Sequence, residues 1–401
     1  MPPARPSRMP RRAHRRRLVA LVAVGALASI AATCQAAKPP APPPPPPPPS
    51  VYCHNTTPTS AAQYQAAFDG LRAANTAGWV ANDGGLPVNL GNGRVLWMFG
   101  DTLIGAPPSG PVNLLGIANN GFVVQQGNCF TPMTEPIPDP GPERWIWPTG
   151  AVVEGNVLRV FGLHMRRTQA APPFNFALVS LDVTTFSLPG LDRLGPRQSL
   201  PFPTTPSYGE TVVVQGEYVY AYGQKRDENP IPDSFPIPTH YVARAKIGSV
   251  LTGPWEFWEG PPPSGDVWVP NQPVAAMPMV FDNPDDGNPV PTPLEGPLAG
   301  FAVGHNGGYV GSSFMIDVFS NDGVWSWDST APQGPWTRRP TPAVDVSHQN
   351  LHPDRHFAYG GRVVFNVPGS SPIGLWSTNH KSFNAVLANP NLYKVWFAPP
   401  G

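Results

Sequence analysis

Three carboxylates stand beside predicted β-strands, where an acidic side chain is costly unless it has a use. Glu210 directly precedes the β-branched run 211–214, Asp83 lies in the stretch Trp79–Pro87, and Asp101 closes an apolar strand. A buried carboxylate must be paired, hydrogen-bonded or protonated. Two or three such groups around one pocket could supply a general acid together with a base or nucleophile.

Each of these carboxylates also has a structural interpretation. Glu210 could be a strand-end acid that pairs with Arg226 or Arg244. Asn-Asp-Gly-Gly around Asp83 is ordinary turn chemistry, and Gly-Asp-Thr around Asp101 can form a side-chain-capped turn. The sequence leaves both interpretations open for all three residues.

Further polar and aromatic side chains fall in the same stretches. His348, His352 and Asp354 lie where the last inner strand should begin, and Asp354 or Arg355 matches the position of Glu210 in its own repeat. Aromatic faces stack on sugar rings while carboxylates perform acid/base chemistry, so the combination suits saccharide substrates. The aromatic candidates for substrate contact are Trp79, Trp147 and Tyr208, with Trp145 and Trp268 nearby. Aromatic residues also fill the gaps between sheets, which is the alternative for each.

A repeated phrase indicates the elements that position these residues. A turn glycine at 93, 155 and 216 is followed each time by a strand of β-branched and aromatic residues, at spacings of 62 and 61 residues. Repetition at this period marks an array of sheets, since each unit needs its neighbours to bury its faces. The sequence therefore predicts an all-β fold, a β-propeller in which the innermost strands converge on a central channel.

The spacing of the later repeats predicts five blades. The phrase returns at Gly360-Gly361, and the interval from Gly216 leaves room for one further blade from Gly307 onward. Gly253-Pro254-Trp255 and Gly334-Pro335-Trp336 should end units in two different blades. One helix is predicted over 61–74, because Tyr64, Phe68 and Leu71 fall on one face.

The first 51 residues have the composition of an export unit. Residues 1–17 hold seven arginines and no acid, and an apolar run follows over 18–33. This pattern predicts a signal peptide over 1–37, either of the lipoprotein type, with a lipid anchor at Cys34, or of the simple type. Residues 38–51 are a Pro-rich linker that should form an extended spacer. The propeller would then occupy 52–401, outside the cytoplasm, in the cell envelope or beyond it.

The net charge limits the classes of binding partner, and the cysteine content indicates a disulfide. The chain has 26 basic and 26 acidic residues, and removing 1–37 leaves 19 against 26, a net charge near −7, which disfavours nucleic acid. Of three cysteines, Cys53 and Cys129 remain in the propeller region, and a pair in an exported protein favours a disulfide. We expect a monomer without a metal or cofactor. The loop from Asp282 begins like a calcium loop but has Pro284 at a ligand position and no closing glutamate.

Several motifs resemble one group of known propellers. Trp97-Met98-Phe99-Gly100-Asp101-Thr102, Trp147-Pro148-Thr149-Gly150-Ala151 and the segment from Tyr241 to Phe257 are similar to the five-bladed furanosidase-like glycoside hydrolases. That superfamily includes arabinanases, β-xylosidases and levansucrases. The chain most resembles a bacterial domain family of largely unassigned function within it, some members of which are endo-D-arabinanases. The resemblance covers roughly residues 60–398.

The resemblance implies roles for the carboxylates. In the furanosidase group an Asp of the first blade is base or nucleophile, a second Asp tunes the pKa of the acid, and a Glu from a later blade is that acid. Asp83 and Glu210 match the first and last roles, Asp101 lies within the shared motif, and Thr149-Gly150 stands where the second Asp belongs. The expected function is hydrolysis of furanose-containing polysaccharide of the arabinan type. A non-catalytic carbohydrate-binding or scaffold propeller is the alternative.

Overall fold

In the computed structural model, the described residues are 50–105, 112–169, 175–225, 238–260, 266–282, 301–305, 307–315, 323–346, 356–365, 367, 372–380 and 382–401. The predicted signal peptide and nearly all of the linker lie outside these ranges. Within them the chain forms five sheets that follow one another along the sequence. They are the five blades of a β-propeller, as predicted.

Each of the first three blades is built from consecutive strands of the chain. Blade 1 consists of β1 (Tyr52–Cys53), β2 (Trp79–Gly91), β3 (Arg94–Gly105), β4 (Leu114–Ala118), β5 (Gly121–Gln126) and β6 (Cys129–Thr134). Blade 2 consists of β7 (Arg144–Glu154), β8 (Val157–Arg167), β9 (Phe176–Ser187) and β10 (Gln198–Ser199). Blade 3 consists of β11 (Ser207–Gln215), β12 (Tyr218–Lys225), β13 (Thr239–Lys246), β14 (Glu256–Trp258) and β15 (Trp268–Pro270).

The last two blades continue the order. Blade 4 consists of β16 (Phe281–Asp282), β17 (Ala302–His305), β18 (Tyr309–Met315), β19 (Gly323–Ser329), β20 (Trp336–Arg338) and β21 (Val344–Asp345). Blade 5 consists of β22 (His356–Val364), β23 (Ile373–His380) and β24 (Lys394–Ala398). Two α-helices, α1 (Ala61–Ala73) and α2 (Phe383–Ala388), and three short 3₁₀ turns, Thr76–Gly78, Pro273–Ala275 and Pro390–Leu392, complete the described elements.

The repeated glycines connect the first two strands of each blade, as the sequence indicates for blades 1 to 4. Gly93, Gly155, Gly216 and Gly307 each lie between an inner strand and the strand that pairs with it antiparallel. In blade 5 the predicted position of the turn between the first two strands is wrong. Gly360 and Gly361 lie inside the inner strand β22, at an irregularity between Tyr359 and Arg362, rather than in a hairpin turn.

Aromatic packing joins the first blade to the last. Helix α1 begins after Ser60, whose side chain caps it, and it buries the predicted face of Tyr64, Phe68 and Leu71. Phe68 contacts Phe99 of blade 1 and stacks on Phe397 of blade 5 at 5.3 Å between ring centroids. The hydrophobic effect of this shared cluster therefore holds the two ends of the ring together.

The predicted disulfide is present. Cys53 and Cys129 are bonded and stand opposite each other in the pairing of β1 with β6. The bond fixes the segment before α1 onto the outer edge of blade 1.

The inner strands β2, β7, β11, β17 and β22 surround a central channel of about 340 Å³. Four of them carry a β-bulge or register irregularity. These irregularities include Asp83 in β2, Thr149 in β7, Glu210 in β11 and Gly360 in β22. A bulge re-aims the side chain that it carries, and bulges are frequent beside active sites. Among the described residues, no helix is both long and apolar enough to cross a membrane.

Candidate active site

Asp83 and Asp101 form a carboxylate pair in blade 1. Asp83 lies in the bulge of β2, and Asp101 lies on the paired strand β3, with its backbone N–H donating to the Asp83 carboxylate. Gly100 permits this approach, since a Cβ at that position would meet Asp83 Oδ1 at 2.5 Å. The absence of a side chain at Gly100 therefore allows Asp83 to approach the backbone at Asp101.

Burial raises the pKa of both carboxyls. The pKa of Asp101 is raised to about 7, first by burial and then by the charge of Asp83. The pKa of Asp83 is also raised, again chiefly by burial. Like charges at close range cannot both ionise freely, so the pair holds a proton at a pH where isolated carboxyls have lost theirs.

Two tyrosines oppose the effect of burial on the pKa of Asp83. Tyr359 donates a hydrogen bond of 2.6 Å from its hydroxyl to Asp83 Oδ2. The hydroxyl of Tyr393 interacts with the Asp83 carboxylate and lies 3.1 Å from the carbonyl oxygen of Asp101. Hydrogen bonds to the ionised form favour it, so both tyrosines lower the pKa of Asp83 relative to burial alone. The tyrosine hydroxyls therefore favour the negative charge on Asp83, and that charge in turn raises the pKa of Asp101.

Trp147 connects the pair to blade 2. Its indole Nε1 donates a hydrogen bond of 2.7 Å to Asp101 Oδ1. Its ring packs edge-on against Phe176 at 5.2 Å and against Trp145 at 5.5 Å. Trp147 is half-buried. The predicted role of Trp147 at the site is therefore consistent with its position, with an aromatic surface next to a carboxylate.

Glu210 lies in blade 3, in the bulge of β11. Its Oε1 accepts hydrogen bonds from Ser207 Oγ at 2.7 Å and from Gln224 Nε2 at 3.0 Å. Gly209, just before it, has φ +88°, a left-handed conformation that favours glycine. Arg244, one alternative partner for Glu210, is paired instead with Glu256 at 2.6 Å, and Arg226 lies outside the described residues.

A cavity of about 220 Å³ borders Glu210. It is lined by residues of four inner strands, among them Thr149 and Pro148 of blade 2 and Gly360, Gly361 and Arg362 of blade 5. Tyr359, which binds Asp83, directly precedes Gly360 in β22. Trp147, which binds Asp101, directly precedes Pro148 in β7. The cavity is therefore lined by Glu210 itself and by chain neighbours of the two residues that bind the carboxylate pair.

Thr149 stands at the position that the resemblance gives to the second Asp of the furanosidase group. Its Oγ1 donates a hydrogen bond of 2.6 Å to the carbonyl oxygen of Gly209. The interaction fixes the bulge that carries Glu210, and a threonine cannot titrate. Blade 2 therefore supports Glu210 mechanically and contributes no charge at this position.

The predicted substrate contacts of Trp79 and Tyr208 need correction. Both side chains have 0% exposure. Trp79 packs edge-on against Phe99, and Tyr208 packs against Phe257 and Phe202. Neither ring presents a face to a ligand, because each fills the interior beside its inner strand.

Two predicted substrate-binding residues, His352 and Asp354, lie outside the described residues. Within the described ranges, no cluster of three or more His, Cys, Asp or Glu side chains could hold a metal ion. Four residues that bind the carboxylates are not predicted from the sequence: Tyr359, Tyr393, Ser207 and Gln224. The one signal for Tyr359 is its position before the paired glycines 360 and 361.

The five consecutive sheets define the class of this protein as a five-bladed β-propeller. The chain belongs to the family described as "Domain of unknown function (DUF5005)", whose model matches residues 65–364. The predicted resemblance to a domain family without an assigned function is thereby confirmed. No curated protein matches this chain.

Solved structures of other proteins are similar to this chain. A candidate hydrolase from Bacteroides ovatus ATCC 8483 is 14% identical, with a TM-score of 0.57 over 86% of this chain and 93% of that one. At this identity the likeness shows the fold. A family-43 β-xylosidase/α-arabinofuranosidase from a compost microbial metagenome, solved with xylotriose, is 12% identical over 87% and 94% of the two chains, with a TM-score of 0.47. A family-43 enzyme from Xanthomonas citri, also with xylotriose, is 12% identical over 80% and 86%, with a TM-score of 0.47.

Proposed function

We propose that this protein is a glycoside hydrolase that cleaves furanose-containing polysaccharide of the arabinan type. The observation that carries the proposal is the Asp83–Asp101 pair, two carboxyls of raised pKa that are bound by Tyr359 and Trp147, the chain neighbours of residues that line the cavity beside Glu210. Glycoside hydrolysis needs one carboxylate that is ionised and one acid that is protonated, on opposite sides of the scissile bond. This chain offers both from different blades.

The role of Asp83 follows from its hydrogen bonds, and the role of Glu210 follows from its position at the cavity and from the resemblance. Asp83, held ionised by Tyr359 and Tyr393, is the base or nucleophile. Glu210 is the general acid, with Oε1 fixed by Ser207 and Gln224 and the carboxyl directed at the cavity. Asp101 holds a proton beside Asp83 and so limits the charge that accumulates there before the oxocarbenium-like transition state forms.

The test is release of reducing ends from arabinan, arabinogalactan and fructan. Wild type should cleave at least one of these polymers. Glu210→Gln and Asp83→Asn should each lose about 10²-fold or more in rate while still folding, since each keeps its shape and loses its ionisable group. Glu256→Gln is the matched control in blade 3, because Glu256 lies on β14, away from the inner strand, and is paired with Arg244. Full activity in Glu210→Gln would remove Glu210 from the mechanism.

One observation favours a second function, a non-catalytic carbohydrate-binding propeller. Thr149 replaces the blade 2 Asp of the furanosidase group, and its hydroxyl is engaged by Gly209. A binder would retain affinity for oligosaccharide, with the half-buried Trp147 as a stacking surface, and would release no reducing ends. Calorimetric binding without turnover of any furanose polymer selects this function.

We also propose that the protein is exported, either freely secreted or anchored through a lipid at Cys34. The support is compositional: an arginine-rich head, an apolar run and a Pro-rich spacer precede a domain with a disulfide. Mass spectrometry of the secreted and membrane fractions should find chains that start near residues 34–38. Protein that retains Met1 in the cytoplasm would contradict the proposal.

A further inference from the structure

Arg362 lies between two cavities. It follows the irregularity at Gly360-Gly361 in β22, and it lines both the cavity of about 220 Å³ beside Glu210 and the central channel of about 340 Å³. The next residue, Val363, is anchored through its backbone N–H to Ser312 Oγ at 2.8 Å. The backbone that carries Arg362 is therefore fixed against blade 4.

The guanidinium of Arg362 is incompletely satisfied by the described protein. Its Nε is buried and makes no hydrogen bond within the part of the chain that the structure describes. Burial lowers the pKa of Arg362 to about 10, and no described carboxylate counteracts the effect. The group is still cationic at neutral pH, and an uncompensated buried charge is strongly unfavourable.

Three other part-buried arginines of the propeller are paired with carboxylates. Arg159 is paired with Glu154, Arg197 with Asp182 and Arg244 with Glu256. No carboxylate is among the described residues that line the channel, where Arg362 and His305 are the titratable side chains. Glu210 is the one described carboxylate that lines either cavity, and it is bonded to Ser207 and Gln224. Within the described part of the chain, the positive charge of Arg362 therefore has no paired carboxylate and lies beside space that a ligand can enter.

We infer that the cavity beside Glu210 receives an oxyanion carried by a saccharide, a carboxylate or a phosphate, and that Arg362 binds it. The planar guanidinium matches both oxyanions with two parallel hydrogen bonds. A negative charge near Glu210 also favours its protonated form, which is the form that a general acid requires. The inference deepens the proposed function by naming anionic saccharides as the substrate class. Cleavage of these saccharides rests on the proposed function, whereas their binding does not.

Matched pairs of small ligands test the inference directly. Calorimetry compares methyl glucuronide with methyl glucoside, and methyl arabinofuranoside 5-phosphate with methyl arabinofuranoside, so that each pair keeps its ring form and differs in one oxyanion. At least one anionic member should bind wild type about 10-fold or more tightly than its neutral counterpart. The preference should weaken as ionic strength rises. Whichever pair shows it identifies the oxyanion as carboxylate or phosphate.

Variants assign the preference to Arg362. Arg362→Gln should abolish the preference and leave affinity for the neutral sugar unchanged, and its melting temperature should rise because an unpaired buried charge is removed. Arg338→Gln is the matched control: Arg338 Nε also lacks a hydrogen-bond partner within the described chain, but the side chain packs over Trp325 in blade 4 and lines neither cavity.

The outcomes separate this inference from the proposed function. Equal wild-type affinity within both pairs, or a preference that persists in Arg362→Gln, overturns the oxyanion site even if neutral arabinan is cleaved. An oxyanion preference that depends on Arg362, in a protein that cleaves neither neutral nor anionic polymers, supports the site and refutes the hydrolase.

Discussion

Replacing Asp101 by Asn should stabilise the protein in a pH-dependent way. The amide keeps the size of the side chain and can still accept the hydrogen bond from Trp147 Nε1. It removes the titrating group of Asp101 and with it the repulsion of Asp83. The effect on the free energy of unfolding is therefore electrostatic rather than steric.

The magnitude and its sign follow from proton linkage. The pKa of Asp101 is about 7 in the folded protein against a reference of 3.8 in the unfolded chain. Below about pH 4 both states are protonated and the carboxyl contributes nothing. Between about pH 4 and pH 7 the folded state binds more protons than the unfolded state, so stability falls as pH rises. Above about pH 7 the folded protein bears the whole cost, about 2 to 4 kcal/mol after allowance for partial solvent screening.

Urea unfolding at pH 4, 6 and 8 measures this cost. Wild type should lose stability across the series, and Asp101→Asn should show a gain over wild type that grows to about 2 to 4 kcal/mol at pH 8, with an unchanged dependence on urea. Asp328→Asn is the surface control, since Asp328 is exposed and paired with Arg339, and its effect should stay within about 1 kcal/mol. A gain from Asp101→Asn that is equal at pH 4 and pH 8 would refute the reasoning.

A double-mutant cycle checks the coupling. Asp83→Asn also relieves the repulsion, so the gains of the two single variants at pH 8 should together exceed that of the double variant. Additive gains would show that the two carboxyls do not interact. The expected loss of activity in both variants would mark the repulsion as a functional feature, because stability gained at the expense of activity is typical of active sites.

Three further results are expected. Tyr359→Phe removes a hydrogen bond that favours the ionised form of Asp83. The acidic limb of the pH–rate profile should therefore move to higher pH, with little change in KM. A limb that does not move would show that the ionisation of Asp83 does not control the rate. Exchanging both Cys53 and Cys129 for Ser should lower the free energy of unfolding by roughly 4 kcal/mol, since the bond closes a loop with a sequence separation of 76, and denaturation with and without reductant provides the comparison. Thr149→Val should reduce the rate and leave the charge of the site unchanged, because it releases the Gly209 carbonyl that fixes the Glu210 bulge; a Thr149→Ser variant that restores the rate would confirm that the hydroxyl is responsible.

Local patterns account for the parts of the fold that the sequence predicts well. The turn glycines at 93, 155 and 216, each followed by alternating β-branched and aromatic residues, are determined by neighbours within a few positions. The amphipathic face of α1 has the same local origin. The prediction fails in blade 5 because Gly360-Gly361 has the composition of a hairpin turn. In the folded chain the two glycines permit an irregularity in the middle of an inner strand.

The site is less predictable because its partners come from opposite ends of the chain. Asp83 is recognisable in the sequence as an acid beside a strand. Its hydrogen-bond donor Tyr359 is 276 residues away and reaches it only when blade 5 closes on blade 1. Tyr393 lies a comparable distance along the chain from Asp101. Closure of blade 1 on blade 5 is a property of the whole array, and no local pattern reports it.

Aromatic residues illustrate the same limit in physical terms. Trp79 and Trp147 are both tryptophans on inner strands, yet Trp79 is fully buried while Trp147 is half-buried and bonded to Asp101. Both strands have a register irregularity shortly after the tryptophan, so the local pattern does not distinguish the two positions. Bulges recur in β2, β7, β11 and β22, and two of them carry Asp83 and Glu210 directly. The irregularities of the inner strands, rather than their regular repeat, therefore decide which side chains of this propeller face a ligand.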